Sequence, residues 1–189
     1  MIPAKETFNG TWPFESRFTN AAGFRQHYVD EGRAEGEVVL CLHGEPTWGY
    51  LYRNMIGPLA EKFRVVVPDH MGFGKSETPQ DRVYMLQTHV ENLERFVADL
   101  DLSDITIVCQ DWGGPIAGAF TSRNPHLVKR LFLMNTVLGY GGGQSAGGKT
   151  PWFQWIEKHE EAGTLNGILG ELGSTVLSVM KIIGFQNTA

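Results

Sequence analysis

Cysteine is scarce in this chain, with only two among 189 residues. Disulfide-stapled proteins carry more cysteines in a shorter chain, and zinc sites pair them at short spacing, so the sequence fits neither class. Cys41 and Cys109 each fall in an apolar run typical of a buried strand. We therefore expect two reduced core thiols, no metal site and a cytoplasmic location.

The chain also lacks an excess of positive charge and a long uninterrupted hydrophobic segment. Its formal net charge of −5 argues against a nucleic acid as partner. The first six residues contain no apolar run behind a basic start, as a signal peptide would. The most apolar late stretch, residues 168–185, contains Glu171 and Lys181, so it predicts a cap or core helix and no membrane span.

The chain contains a regular alternation of strand-like and helix-like segments. Its length suits one domain of ordinary globular composition, with 42% apolar and 20% charged residues. Continuous apolar runs predict strands buried in a parallel sheet, and helical spacing predicts helices between them. The predicted strands are residues 15–20, 26–30, 37–42, 64–68, 105–109 and 131–138, and the predicted helices are residues 50–63, 83–100 and 113–124. This order predicts an α/β fold with a mostly parallel sheet flanked by helices.

The character of the sequence changes after residue 138. Residues 139–148 are rich in glycine and predict a linker, and residues 151–185 predict helices only. We therefore expect residues 1–138 to form the sheet-containing core. Residues 139–189 are then a linker and the start of a helical cap.

The strongest chemical signal is the junction at Asp111. The predicted strand 105–109 leads into a tight turn, and a helix begins just past Asp111 at the pair Gly113 and Gly114. This is the pattern of a nucleophile elbow with Asp in the central position, where the side chain lies at the carboxyl end of a strand. The alternative is that Asp111 only caps the helix, since Asp is a favoured N-cap residue.

A second signal follows the strand 37–42, in the run His43-Gly44-Glu45-Pro46. A backbone N–H of this loop is expected to pair with the N–H of Trp112. Two such donors form an oxyanion hole in enzymes that use a nucleophile elbow. His-Gly after a strand is a weak signal alone, but it gains specificity beside the elbow.

At these residues the chain resembles the haloalkane dehalogenases. The resemblance rests on the runs HGEPTW, YLYR, PD, GFGKS and QDWGG in the family's order, and it covers roughly residues 24–137. It implies the α/β-hydrolase fold and a mechanism in which Asp111 attacks the halogen-bearing carbon and forms an alkyl ester. Trp112 would direct its indole N–H at the departing halide. The implied partners are a small halogenated hydrocarbon, water and a halide ion, with no cofactor.

The resemblance also implies roles for residues outside the elbow. Glu45 stands where many members have Asn, and a subset with Glu takes its second halide contact from a tryptophan of the cap. Trp152 and Trp155 are the candidates for that contact, although each also suits packing within the cap. Glu45 would then help to hold the hydrolytic water, and its backbone N–H would serve the oxyanion hole. Asn135 stands where some members have the Glu of the triad, so the acid is expected after a later strand.

The family's catalytic base and its carboxylate follow the cap, and the chain departs from the family by their omission. His43 belongs to the oxyanion loop, and the remaining histidines are interpreted as surface or turn residues: His27, His70, His89, His126 and His159. We therefore expect a fragment or a truncated protein with an incomplete sheet. It should be alkylated at Asp111 with little turnover, and it should self-associate through an exposed sheet edge.

Two other functions remain open from the sequence. An epoxide hydrolase shares the Asp nucleophile and a similar loop, but it would activate its substrate with cap tyrosines, and residues 151–189 contain none. Glu45 and Gln110 also favour the dehalogenase. The other alternative is a module without catalysis that acts through binding or oligomerisation.

Overall fold

The computed structural model describes residues 2–138, 151–165 and 167, and it contains one six-stranded sheet. The strands are β1 Arg17–Thr19, β2 Gln26–Gly32, β3 Val38–Leu42, β4 Arg64–Pro68, β5 Ile105–Gln110 and β6 Val128–Met134. The helices are a 3₁₀ turn Gly49–Tyr52, α1 Arg53–Ala60, α2 Leu86–Asp99, α3 Gly113–Arg123 and α4 Pro151–Glu161.

The sheet has the order β1-β2-β4-β3-β5-β6. β1 pairs antiparallel with β2, and β2 pairs antiparallel with β4. β3, β4, β5 and β6 are parallel to one another, with β3 between β4 and β5. The predicted α/β fold with a mostly parallel sheet is therefore confirmed.

The core lies on both faces of the central strands, because β3 is buried along its whole length. On one face, Leu40 packs in a cluster with Phe96 of α2 and Phe120 of α3. On the other face, Cys41 packs in a second cluster with Tyr52 and other aromatic residues. Cys41 and Cys109 are buried and free, as predicted. Burial raises the pKa of the Cys41 thiol to about 12 and that of Cys109 to about 11.

Several predicted bounds differ from the structure by one to four residues, and the largest differences concern the following three elements. The last strand begins at Val128 and ends at Met134, whereas the sequence predicted residues 131–138. α2 begins at Leu86 and not at residue 83, because Met85 has an extended backbone. The first predicted helix is split into the 3₁₀ turn and α1.

The chain divides into two compact units, Met1–Tyr140 and Gly141–Ala189. The first contains the sheet, and the second contains α4. The predicted linker and most of the predicted cap lie outside the described residues, so the boundary after residue 138 stays a prediction. No helix within the described ranges has both the length and the apolar character needed to cross a bilayer.

Candidate active site

Asp111 lies directly after β5, in a backbone conformation that L-residues rarely adopt. Its φ is +51°, in the left-handed region, and α3 begins two residues later at Gly113. A side chain on Gly113 would collide with the carbonyl of Leu42, and one on Gly114 would collide with Thr136. The two glycines therefore allow the sharp strand-to-helix turn, and such strain at a non-glycine residue often accompanies a functional site.

The loop after β3 contacts the Asp111 carboxylate. The Glu45 backbone N–H donates a hydrogen bond to Asp111 Oδ1 at 2.8 Å. Gly44 lies so close that a Cβ there would collide with both the Asp111 carboxylate and the Trp112 backbone nitrogen. The structure thus brings Glu45, Asp111 and Trp112 together, at the carboxyl ends of two neighbouring parallel strands.

The N-cap of α3 is Trp112, and no side chain makes a capping hydrogen bond there. Asp111 instead uses Oδ1 to accept from Glu45. Capping of α3 therefore does not account for the aspartate at this position.

His43 fixes the position of the loop after β3 through hydrogen bonds of both its ring nitrogens. Its Nε2 accepts the backbone N–H of His70 at 2.9 Å, so its proton lies on Nδ1, which is 3.0 Å from the Gly44 carbonyl. Burial lowers the pKa of His43, and the neutral form is the one that can accept at Nε2. His43 is therefore a neutral positioning residue for the loop.

Asp69, directly after β4, is a second anchor of this region. The carboxylate is fully buried and accepts from the Gly49 N–H, the Lys75 N–H and His27 Nδ1, each at 2.8 Å. These bonds connect Gly49, which follows the loop after β3, to Lys75 in the loop after β4. Asp69 is therefore a structural carboxylate, although it stands at the same edge of the sheet as Asp111.

A cavity of about 380 Å³ opens beside the elbow. Its lining is predominantly apolar, with a few polar groups, as is usual for small-molecule sites. The lining residues are Gly44, Glu45, His70, Phe73, Tyr84, Met85, Leu86, His89, Trp112 and Ile116. Trp112 and Glu45, two of the predicted substrate-binding residues, therefore border one cavity.

Glu45 is an exposed residue that lines this cavity. Partial burial, and then the nearby negative charge of Asp111, raise the pKa of the Glu45 carboxyl. Two carboxylates that share one site disfavour each other's ionised forms. Glu45 is therefore easier to protonate than an ordinary surface glutamate.

The two tryptophans proposed for the second halide contact both fall within α4. The side chain of Trp152 lies outside the described part of the structure. The Trp155 ring lies 4.5 Å from the His159 ring, within the same helix. Because α4 belongs to the second compact unit, the predicted halide contacts of both residues stay predictions.

The interpretation of five histidines as surface or turn residues was wrong for three of them. His27 lies within β2 and is fully buried beside Asp69, and His70 is buried and lines the cavity. His89 lies within α2, is half-buried and lines the same cavity. His70 also marks what sequence reasoning missed, since it directly follows Asp69 at the carboxyl end of β4. Its position after a buried strand was the available signal.

A metal centre has no support in the part of the chain that the structure describes. No group of three or more His, Cys, Asp or Glu side chains is arranged there to hold an ion.

Comparisons with known proteins connect this site to the haloalkane dehalogenases. A haloalkane dehalogenase of Psychrobacter cryohalolentis is 40% identical over 159 residues, covering 81% of this chain and 52% of that protein. A cis-3-alkyl-4-alkyloxetan-2-one decarboxylase of Shewanella oneidensis is 38% identical over 127 residues, covering 66% of this chain and 39% of that protein. The chain thus spans about half the length of the first of these relatives and less of the second.

A comparison with solved structures also finds similarity to a haloalkane dehalogenase. The tetrameric haloalkane dehalogenase DpaA of Paraglaciecola agarilytica superimposes with a TM-score of 0.70 at 37% identity, covering 80% of this chain and 52% of that one. The predicted resemblance is therefore confirmed. The family described as alpha/beta hydrolase fold matches residues 37–164, and the chain belongs to that family.

Proposed function

We propose that the parent enzyme is a hydrolytic dehalogenase that cleaves the carbon–halogen bond of small haloalkanes, with Asp111 as nucleophile. The observation that carries the proposal is the Asp111 carboxylate, held at the elbow by one hydrogen bond from Glu45 N–H beside a mostly apolar cavity. The second oxygen, Oδ2, accepts no hydrogen bond from a described residue, so it keeps its lone pairs for attack. The similarity to named haloalkane dehalogenases supports the same reaction.

In the first half-reaction, Asp111 Oδ2 attacks the carbon that bears the halogen. The new C–O bond forms as the C–X bond breaks, and the bonding electrons leave with the halide. Trp112 lines the cavity, and its indole N–H can only donate, which suits a leaving anion in apolar surroundings. Trp152 or Trp155 would supply the second halide contact.

In the second half-reaction, water attacks the carbonyl carbon of the ester, and the alcohol leaves as Asp111 is regenerated. The backbone N–H groups of Glu45 and Trp112 would stabilise the tetrahedral oxyanion, and the Glu45 side chain would help to hold the water. A general base must take the proton from the water. The resemblance assigns this base to none of residues 1–189, so we expect a polypeptide of these residues alone to perform the first half-reaction only.

The decisive experiment measures the mass of the intact chain after incubation with a 1-bromoalkane. We expect one alkyl adduct per chain, mapped to Asp111 by peptide analysis, with one equivalent of bromide released. Asp111→Asn should abolish the adduct. Asp104→Asn is the matched control, because Asp104 is exposed and also has a positive φ.

Two other outcomes would contradict parts of this proposal. No adduct on the wild-type chain would overturn Asp111 as nucleophile in this chain and favour a module without catalysis. Continuous bromide release beyond one equivalent would show that the chain contains its own base, against the half-reaction assignment.

The Shewanella relative supports a second candidate, decarboxylation of an oxetan-2-one. Loss of CO₂ from such a ring leaves an alkene, so alkene release from a cis-3,4-dialkyl oxetan-2-one would favour it over dehalogenation.

The epoxide hydrolase alternative depends on cap tyrosines. Residues 168–189 lie outside the described structure, so the argument against it rests on the sequence alone.

A further inference from the structure

Two imidazole rings lie next to each other in the wall of the cavity, which is mostly apolar but also contains Glu45. His70 follows β4 and His89 lies in α2, and both line the cavity with Glu45 and Trp112. The rings of His70 and His89 are 5.7 Å apart and nearly perpendicular. The proposed dehalogenation assigns no role to either imidazole ring.

The hydrogen bonds of His70 fix the position of its proton. Nε2 lies 2.9 Å from the His43 carbonyl oxygen, which can only accept, so Nε2 carries the hydrogen. In the neutral ring, Nδ1 is then an acceptor with a free lone pair. No donor among the described residues bonds Nδ1, and this atom is not fully buried. Its accessible surface therefore belongs to the cavity that His70 lines.

The surroundings keep His70 neutral. Burial lowers its pKa well below the usual value, and repulsion from His43 and His89 acts in the same direction. His43 cannot take up a second proton without losing the bond it accepts from His70. The cavity thus presents a fixed, uncharged acceptor in an apolar wall.

We infer that His70 Nδ1 accepts a hydrogen bond from the substrate, so that the cavity prefers halogenated compounds with a hydroxyl or amine donor over plain haloalkanes of equal length. The inference rests on the proposed function for the halogen, and on the His70 geometry for the donor. A buried acceptor that meets only methyl groups loses its bond to water without replacement, which penalises the plain haloalkane.

The test compares 4-bromobutan-1-ol with 1-bromopentane, which have the same number of heavy atoms. The measured quantity is the ratio of their second-order rate constants for alkylation of Asp111, in the wild type and in His70→Gln. A Gln amide nitrogen occupies the ε position and can still donate to His43, but Gln has no acceptor at the δ position. We expect the alcohol-to-alkane ratio to fall on the order of three- to tenfold, the value of one neutral hydrogen bond.

Two further variants separate the acceptor from general damage. His70→Asn keeps an oxygen at the δ position and should keep more of the alcohol preference than His70→Gln. His126→Gln is the matched control, because His126 is exposed, and its ratio should equal that of the wild type. Intrinsic reactivity of the two bromides cancels, because only ratios are compared between variants.

A second measurement needs no alkylation and no folded variant. Wild-type chain is titrated with pentan-1-ol, and NMR records nuclear Overhauser effects to the Hε1 proton of His70, which lies between the two ring nitrogens. Contacts from the hydroxyl-bearing methylene support the inference even if Asp111 is never alkylated. Contacts from the terminal methyl group instead, or none at saturation, overturn it. An unchanged ratio in a folded His70→Gln overturns it as well.

Discussion

Asp69 and Asp111 stand in matching positions and differ in how their carboxylates are bonded. Each directly follows a parallel strand, β4 or β5, and these two strands flank β3. Among the described residues, the buried Asp69 carboxylate accepts three hydrogen bonds, whereas the partly accessible Asp111 carboxylate accepts one, from Glu45 N–H. Asp111 also has a positive φ.

The difference shows how the same residue type becomes structural or available for chemistry. Three donors occupy the lone pairs of Asp69 and stabilise its charge in place, so this carboxylate has little capacity left for another partner. Asp111 retains lone pairs to which no described residue donates, and its neighbour Trp112 lines the cavity. The strained turn is tolerated at Asp111 because the glycines around it leave room for the backbone.

The largest effect on stability is expected at Asp69, because three donors bond its buried carboxylate. Asp69→Asn replaces one carboxylate oxygen with an NH₂ group, which then opposes at least one of Gly49 N–H, Lys75 N–H and His27. Each buried donor left without a partner costs about 1–3 kcal/mol, so we expect a loss of about 2–4 kcal/mol in the free energy of unfolding. Urea denaturation measures it, and a loss below about 1 kcal/mol would contradict the structural role of Asp69.

The same substitution at Asp111 should leave stability nearly unchanged. Asn keeps the Oδ1 acceptor for Glu45 N–H, and Asn tolerates the left-handed region better than most residues. We expect a change within about 0.5 kcal/mol in the same denaturation experiment, together with complete loss of alkylation. Equal destabilisation by Asp69→Asn and Asp111→Asn would remove the distinction between the two sites.

The elbow could be predicted from sequence because its determinants are local. A buried strand, a central Asp111 and the pair Gly113 and Gly114 fall within ten residues, and each constrains the backbone by itself. The bonding of Asp69 could not be predicted in this way. Its partner His27 is 42 residues away in the sequence, and only the antiparallel pairing of β2 with β4 brings them together.

The bounds of the last strand were predicted wrongly because the local apolar pattern does not mark where it pairs with β5. Apolar residues placed it at 131–138, but backbone pairing with β5 begins at Val128 and ends at Met134. β6 has no buried residue, so Lys129 and Arg130 fit within it and do not mark its boundary. Hydrophobic pattern predicts strand bounds well only where both faces of the strand are covered.

Glu45 provides a smaller and pH-dependent test of the comparison. Since Asp111 contributes to the raised pKa of Glu45, Asp111→Asn should lower that pKa toward the ordinary glutamate value. The titration is followed by NMR of the Glu45 carboxyl carbon. Asp104→Asn, on an exposed aspartate, should leave the pKa of Glu45 unchanged. A pKa of Glu45 that is the same in wild type and Asp111→Asn would show that Asp111 does not act on it.

The sign of the corresponding stability effect follows from the direction of the shift. The folded chain binds the Glu45 proton more tightly than the unfolded chain, so stability falls as pH rises from the ordinary glutamate pKa to the raised one. Above that window the wild type carries the full penalty. Glu45→Gln should remove this pH dependence, and its gain over the wild type should appear only as pH rises through the window.

The smallest effect on stability, and a distinct effect on association, is expected at β6. Within the described part of the chain, β6 is an edge strand of the sheet, and it exposes Phe132 (56%) and Leu133 (47%). An unpaired edge with apolar side chains is a template for another chain, and a charge there opposes pairing. Phe132→Lys should therefore reduce concentration-dependent association in sedimentation equilibrium, with a stability change within about 0.5 kcal/mol.

The matched control is Val83→Lys, because Val83 is 65% exposed and lies outside the sheet. Both variants remove one exposed apolar side chain and add one positive charge, at the edge strand in one case and outside the sheet in the other. Association that weakens in Phe132→Lys alone assigns the contact to β6. Equal weakening in both would mean that apolar surface in general drives association, and the edge strand would then lose its special role.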